Sequence, residues 1–317
     1  MTATGAAPFY ADVAGAPGGG HCRFLTAADG VRLRVAHWRP EGGAKGTILL
    51  FPGRTEYIEK YGPAAAEMLA RGYALVTIDW RGQGLADRAL PDTAVGHVAR
   101  FTDYQKDVAA LLGHVRTQGL PAPFFLMAHS MGGQIGLRAL YEGLPVRAAA
   151  FSAPMWGIGM HPGLRPVAWA ASSIATLSGR GSTYAPGTRP LTYVLETTFE
   201  DNLLTRDAPT FAWLRRQAEA HPDLVLGGPS LQWLNEALRD CLALSRRTSP
   251  DLPCFTMLGT RERVVDPARI RQRMARWPKG TLEMAEDAEH EVMMERAEVR
   301  TRFFDQAAAL FARAAQG

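Results

Sequence analysis

The 317-residue sequence holds only three cysteines, Cys22, Cys241 and Cys254, and no pair of them is spaced as C-x-x-C. So few thiols, odd in number, argue against a disulfide framework and a zinc site, and they suit a reducing compartment. Long hydrophobic runs are missing as well. No stretch reaches the roughly 20 apolar residues that a membrane span needs. The nearest approach, residues 166–178, is uncharged but too short and too rich in Ser and Thr. Residues 1–20 are rich in Ala and Gly and lack the basic start and apolar run of a secretory signal, so they are expected to form a partly ordered arm. Cytoplasmic residence is the expectation. A marked excess of one charge is also lacking. With 35 Lys and Arg against 31 Asp and Glu, the formal net charge is +4, which is no nucleic-acid footprint. There is no internal repeat. What is present, 47% apolar and 21% charged residues, describes a globular chain able to bury a substantial core, and it excludes disorder as the dominant state.

The pattern along the chain alternates. Residues 23–26 and 31–38 read as strands around Asp29-Gly30, a dipeptide that favours a tight hairpin. Short apolar runs at 46–51, 73–79, 124–128 and 146–151 read as strands buried on both faces. Helical stretches separate them at 61–71, at 102–118 (where Thr102 and Gln105 make a capping box) and at 133–141. Such alternation predicts an α/β domain with a mostly parallel central sheet flanked by helices. From about 155 to 245 the pattern gives way to Gly/Ser/Pro loops and helical pieces, then resumes with strands at 253–258 and 281–285 and a last helix from about 292. The expected organisation is an arm (1–20), a first core part (21–154), a helical insertion (155–245) and a second core part (246–317).

The sharpest chemical signal is Ala128-His129-Ser130-Met131-Gly132, which follows a buried strand and opens a helix. In that context a serine sits on a strained strand-to-helix turn with its Oγ above the sheet, and the residues two before and two after it must be small. A serine at a helix N-cap is the plainer alternative. An elbow serine needs an acid and then a histidine later in the chain. Of eight histidines, only His290 follows the last expected strand, in the polar run 286–291. His129 adjoins the serine, but neighbours at a strand end point to opposite faces, so it reads as structural. Glu262 lies just past the strand at 253–258 and is the preferred acid. Asp266 is the alternative, though Asp before Pro267 also suits a helix start. Two backbone N–H groups are needed for an oxyanion, one from Met131 and one from Arg54 in the loop after the strand at 46–51.

These segments resemble the α/β-hydrolase superfamily, and within it the bacterial lysophospholipase and monoacylglycerol-lipase branch. The likeness rests on GRTEYIEKY (53–61), DWRGQG (79–84), HSMGG (129–133) and the Glu262 and His290 loops. It extends to NLLTRD (202–207) and LGGP (226–229). It departs from the usual pattern at Ala128 in place of glycine, Glu262 in place of aspartate, and Pro52-Gly53 in place of His-Gly. The resemblance implies that the insertion is a cap over an acyl pocket. It further implies ester hydrolysis by Ser130, His290 and Glu262 through an acyl-enzyme, with no metal or organic cofactor. Gly82-Gln83-Gly84 lacks the third glycine of a dinucleotide fingerprint, since Asp87 stands there. The loop reads as structural, with Arg81 expected to pair with a carboxylate such as Glu56.

Within the insertion, Met155, Trp156, Met160 and Trp213 are candidates to line an acyl pocket. Its seven Arg against eight Asp and Glu make no polybasic patch, but apolar side chains allow transient contact with a membrane surface. Two other functions compete. An aminopeptidase would need an acidic cluster, which Glu196, Glu200 and Asp201 offer. A ligand-binding protein on a hydrolase scaffold typically lacks one member of the catalytic set, whereas serine, acid and histidine are all present here.

Overall fold

The computed structural model describes residues 5–316; residues 1–4 of the expected arm, and residue 317, lie outside the described part. A short helix, α1 (Ala11–Ala14), precedes a hairpin of β1 (His21–Thr26) and β2 (Arg32–Trp38). Gly30 adopts φ +86° in its turn, which only glycine takes without strain, and the pairing sets His21 opposite His37. The core then runs β3 (Thr47–Phe51), α2 (Gly62–Ala70), β4 (Ala74–Asp79), α3 (Tyr104–Thr117), β5 (Phe124–His129), α4 (Ser130–Tyr141) and β6 (Ala149–Ser152). Four helices follow: α5 (Arg165–Leu177), α6 (Tyr193–Glu196), α7 (Ala208–Ala220) and α8 (Leu231–Ser245). The chain returns to the sheet as β7 (Cys254–Gly259), α9 (Pro267–Met274), β8 (Gly280–Ala285) and α10 (Ala297–Gln316).

The eight strands form one sheet in the order β1-β2-β4-β3-β5-β6-β7-β8, antiparallel only at β1–β2 and β2–β4. The fold is α/β with a mostly parallel sheet, as the alternation predicts. Its central strands carry apolar side chains on both faces because helices cover both. Leu49, Phe51, Leu126 and Ala128 pack into one cluster with residues of α3 and α4. Ile48, Leu50, Phe125 and Met127 pack into the other with α2 and α10. Burying each large side chain contributes about 1.5–3 kcal/mol. After β3 the chain crosses to β4 on one side and later to β5 on the other, so the strand order reverses there. A crevice opens at the carboxyl ends of the strands at such a point.

Two local expectations fail. Thr102 lies in a 3-10 turn (Phe101–Asp103) and makes no cap, and the Gln105 amide instead donates to the Ile135 carbonyl at 3.1 Å. Tertiary contact with α4 takes the side chain that a capping box would have used. The last helix starts at Ala297 rather than near 292, because Val292–Met294 form a separate 3-10 turn held against the preceding loop.

Candidate active site

Ser130 is the first residue of α4 and has φ +49°, a left-handed conformation that a non-glycine residue adopts only under constraint. The constraint is packing. Ala128 is fully buried, and any side chain at Gly132 would collide with the carbonyl oxygens of Phe51 and Pro52. The elbow is therefore pressed against the end of β3. Ser130 Oγ stands 2.9 Å from His290 Nε2, and His290 Nδ1 stands 2.7 Å from Glu262 Oε2. The second oxygen of Glu262 accepts from the Val264 and Val265 N–H groups at 2.6 and 3.0 Å. Burial alone would raise the Glu262 pKa. The charge and hydrogen bond of His290, helped by those two N–H groups, outweigh burial and hold it below the usual carboxylate value. The arrangement suits proton transfer from Ser130 to His290, with a carboxylate on the far nitrogen fixing the ring.

Asp266 is engaged elsewhere. Its Oδ1 caps α9 by accepting from the Ala268 and Arg269 N–H groups, and its Oδ2 pairs with Arg165 at 2.6 Å. Met131 is the second residue of α4, so its N–H has no acceptor within the helix. Arg54 lies in the loop after β3, against which Gly132 packs, so that loop and the start of α4 meet next to Ser130. That loop is braced from below. Trp80 Nε1 donates to the Pro52 carbonyl at 2.9 Å, and the Gln83 amide donates to the Gly53 carbonyl at 3.0 Å while accepting from the Thr55 N–H at 3.1 Å. This is what the 79–84 segment does. Arg81, however, does not pair with Glu56. It bridges Asp29 at 2.8 Å and Asp107 at 2.7 Å, because its loop turns toward the β1–β2 hairpin and α3.

Glu56 belongs to a buried network that spacing alone did not disclose. Lys60 Nζ lies 2.6 Å from Glu56 and 2.6 Å from Glu291, the Tyr61 hydroxyl donates to Glu56, and His129 Nε2 approaches Glu291 at 3.2 Å. Burial would lower the Lys60 and His129 pKa values and raise that of Glu291. The opposite charges win in each case, so both cations are held above their ordinary values and Glu291 well below. Glu56, His129 and Glu291 also have the donor types of a metal site. Here the Lys60 ammonium bridges the two carboxylates where a cation would sit. The His129 ring lies 4.6 Å from the His290 ring, so it is not remote from the site. Strand alternation stops at the elbow, where Ser130 turns out of the extended conformation. The only signal in the sequence was that Glu291 follows His290 directly.

The His290 loop is pinned from the helical segment. The His290 and Glu291 N–H groups donate to the Leu203 and Leu204 carbonyls at 3.3 and 2.7 Å, and Thr205 Oγ1 donates to the Met294 carbonyl at 3.0 Å. Asn202 Oδ1 turns that segment by accepting from the Leu204 and Thr205 N–H groups at 2.9 Å each.

Ser130 and His290 open onto a cavity of about 370 Å³, walled by Tyr57, Val194, Leu203, Leu214 and Arg54. None of the four residues expected to line it does so. Trp156 is buried between Phe151 and Trp277 and donates to the Gly133 carbonyl at 3.2 Å, and Met155 is buried in the same cluster. Trp213 donates to the Val13 carbonyl at 2.8 Å beside α1. Met160 is half-buried and does not line the cavity, although its neighbour Gly159 does. Apolar content in a helical segment marks its packing onto the core before it marks a pocket.

Fold and site geometry together define an α/β-hydrolase. The sequence matches the family described as serine aminopeptidase, S33, over residues 42–297, and the chain belongs to that family. It is 26% identical over 282 residues to a probable lysophospholipase L2 of Haemophilus influenzae, covering 88% of each chain. It is 30% identical over 251 residues to lysophospholipase L2 of Escherichia coli K12, covering 76% of this chain and 71% of that one. A solved monoglyceride lipase of Saccharomyces cerevisiae, a soluble variant bound to a substrate analogue, superposes with a TM-score of 0.71 at 19% identity. The superposition covers 92% of this chain and 94% of that one.

Proposed function

We propose that this hydrolase cleaves the carboxylic ester of monoacyl lipids, with the helical segment 155–245 capping the acyl pocket. Ser130 Oγ attacks the ester carbonyl while His290 takes its proton. Glu262 orients the ring and stabilises the imidazolium, and the Arg54 and Met131 N–H groups hold the oxyanion. His290 returns the proton to the leaving alcohol. It then activates water to release the acyl group as a fatty acid. The lysophospholipase relatives and the apolar wall of Val194, Leu203, Leu204 and Leu214 support this reading.

One observation favours an anionic head group over a neutral one. Arg54 lines the cavity with no carboxylate within 4.0 Å among the described residues. Its Nη1 donates to the Gly227 carbonyl at 3.1 Å, its guanidinium lies 5.5 Å from the Trp233 ring, and burial pulls its pKa down to about 10. A desolvated guanidinium without a counter-ion is costly, and a phosphate on the substrate would supply one. The acids an aminopeptidase would use are placed elsewhere. Glu196 pairs with Arg189 at 3.5 Å, Asp201 accepts from the Thr198 hydroxyl, and neither they nor Glu200 lines the cavity.

The test is kcat/KM for 1-lauroylglycerol 3-phosphate, 1-lauroylglycerol and an aminoacyl anilide. Both esters are expected to turn over and the anilide to resist. Arg54→Met is expected to lower the phosphate-to-neutral ratio by about 10–100-fold, the worth of one charge-assisted hydrogen bond. Anilide turnover without ester turnover would overturn the reaction class, and an unchanged ratio would remove Arg54 from head-group selection. A membrane-surface contact is part of the same proposal. Val167, Ile174 and Leu177 share one face of α5 and are 60%, 66% and 86% exposed. Among the described residues no helix is long and apolar enough to cross a membrane.

A further inference from the structure

A second pocket, of about 190 Å³, lies where the chain re-enters the core after α8, and it shares no lining residue with the catalytic cavity. Arg246, Arg247, Arg269, Arg273 and Arg276 line it, together with the hydroxyl-bearing residues Ser245, Thr248 and Ser249. None of the five arginines has a carboxylate within 4.0 Å among the described residues, although nearby Arg138 pairs with both Asp240 and Glu142. Asp240 is buried and Glu142 lies on the surface, but among the described residues no carboxylate lines this concavity.

Neutral groups hold three of the five in place. Arg247 lies over the face of Tyr141, 3.9 Å from the ring centre. Arg273 is only 8% exposed; its Nη1 donates to the Tyr141 hydroxyl at 3.0 Å and its Nη2 to the Leu244 carbonyl. The Tyr141 hydroxyl in turn donates to the Thr248 carbonyl at 2.6 Å, which fixes the loop carrying Arg246 and Arg247. Arg269 Nη1 donates to Gln272 Oε1 at 3.3 Å. Five like charges around one concavity repel each other, and low-dielectric walls focus their field on whatever enters. Their planar N–H forks match phosphate oxygens.

We propose that this pocket is a binding site for a phosphate-bearing anion. The pocket has about half the volume of the catalytic cavity, room for a phosphate with a small substituent. The ligand is a free phosphate compound or the head group of an acidic phospholipid, since both present the same oxygens. Its seat joins the two chain crossings between core and helical segment. Trp156, just past β6, forms one wall, and residues 245–249, just past α8, form another.

The test is binding, which does not depend on the hydrolase reading. Wild type, Arg247→Gln/Arg276→Gln and Arg116→Gln are titrated calorimetrically with inorganic pyrophosphate and with glycerol 3-phosphate. Each is also co-sedimented with phosphatidylcholine vesicles with and without phosphatidic acid. Arg116 is exposed on α3, away from the pocket, and controls for general positive charge. The substituted pocket arginines are themselves exposed, so thermal unfolding is expected to stay as in wild type. Saturable one-to-one binding of a soluble anion, weakened at least tenfold in the double variant and unchanged in Arg116→Gln, supports a free phosphate ligand. Binding confined to vesicles with phosphatidic acid, with the same dependence on the variants, supports a lipid head group. The proposal is overturned by no saturable binding to any probe, by equal weakening in Arg116→Gln, or by a double variant that folds and binds like wild type.

Discussion

Ser130→Ala is expected to lower kcat on a monoacyl ester by about 10⁶-fold, the scale seen when a serine hydrolase loses its nucleophile. The reason is geometric. Ser130 Oγ is 2.9 Å from His290 Nε2, and alanine leaves the base with nothing to deprotonate but water. Glu262→Gln is expected to cost about 10⁴-fold, because an amide at that position favours the wrong tautomer of His290 and cannot stabilise the imidazolium. Asp266→Asn serves as the contrast. It keeps a side-chain oxygen able to cap α9 but loses the Arg165 ion pair, so the expected loss is at most about 1 kcal/mol of stability with kcat nearly retained. Single-turnover kinetics with a p-nitrophenyl ester, and mass spectrometry of the trapped acyl-enzyme, read all three. Retention of more than about one per cent of wild-type kcat in Ser130→Ala would remove that serine as the nucleophile. A larger loss in Asp266→Asn than in Glu262→Gln would exchange the two acids.

The parts of this molecule that were legible in the sequence share one property: a local pattern determined them. The buried runs at 46–51 and 124–128 read as strands because helices cover both faces of the sheet, and Asp29-Gly30 read as a hairpin because its turn needs φ > 0. Ser130, His290 and Glu262 were singled out from chain order and loop position, and the structure places them within hydrogen-bond reach of one another. Where reading failed, no motif or chain-order rule marked the partner. Nothing local shows that Lys60 meets Glu291, 231 residues away, or that the Leu203 carbonyl holds His290. The same limit explains Arg81, whose partners Asp29 and Asp107 come from the hairpin and α3 rather than from the neighbouring Glu56 loop. Residue type alone misled for Met155, Trp156, Met160 and Trp213. Large apolar side chains bury themselves wherever the helical segment meets the core, whether or not a pocket is there.

Lys60→Met is expected to destabilise the fold by about 3–5 kcal/mol, because removing one partner of a buried ion pair strands the others. Here it strands two carboxylates, Glu56 and Glu291, each 2.6 Å from the ammonium. The loss carries a pH signature whose sign follows from linkage. In wild type the Glu291 pKa lies well below its ordinary value, so its contribution is present above the unfolded-state pKa and disappears as pH falls through the folded one. Without Lys60, His129 still stands 3.2 Å from Glu291, but the largest effect opposing burial is gone, so the Glu291 pKa rises from its wild-type position. The variant therefore loses less stability than wild type as pH falls. The gap between wild type and Lys60→Met, measured by urea unfolding, should therefore be widest near neutrality and narrow on acidification. Lys60→Met/Glu291→Gln should recover part of the loss at neutral pH, since the second change removes a stranded charge. A gap under about 1 kcal/mol, or one independent of pH, would mean that water or side-chain rearrangement relieves the charges, and that the network does not hold the His290 loop by electrostatics. The expected result ties the loop carrying His290 to the β3 loop carrying Arg54 through one ammonium, so the same substitution should also lower kcat more than it raises KM.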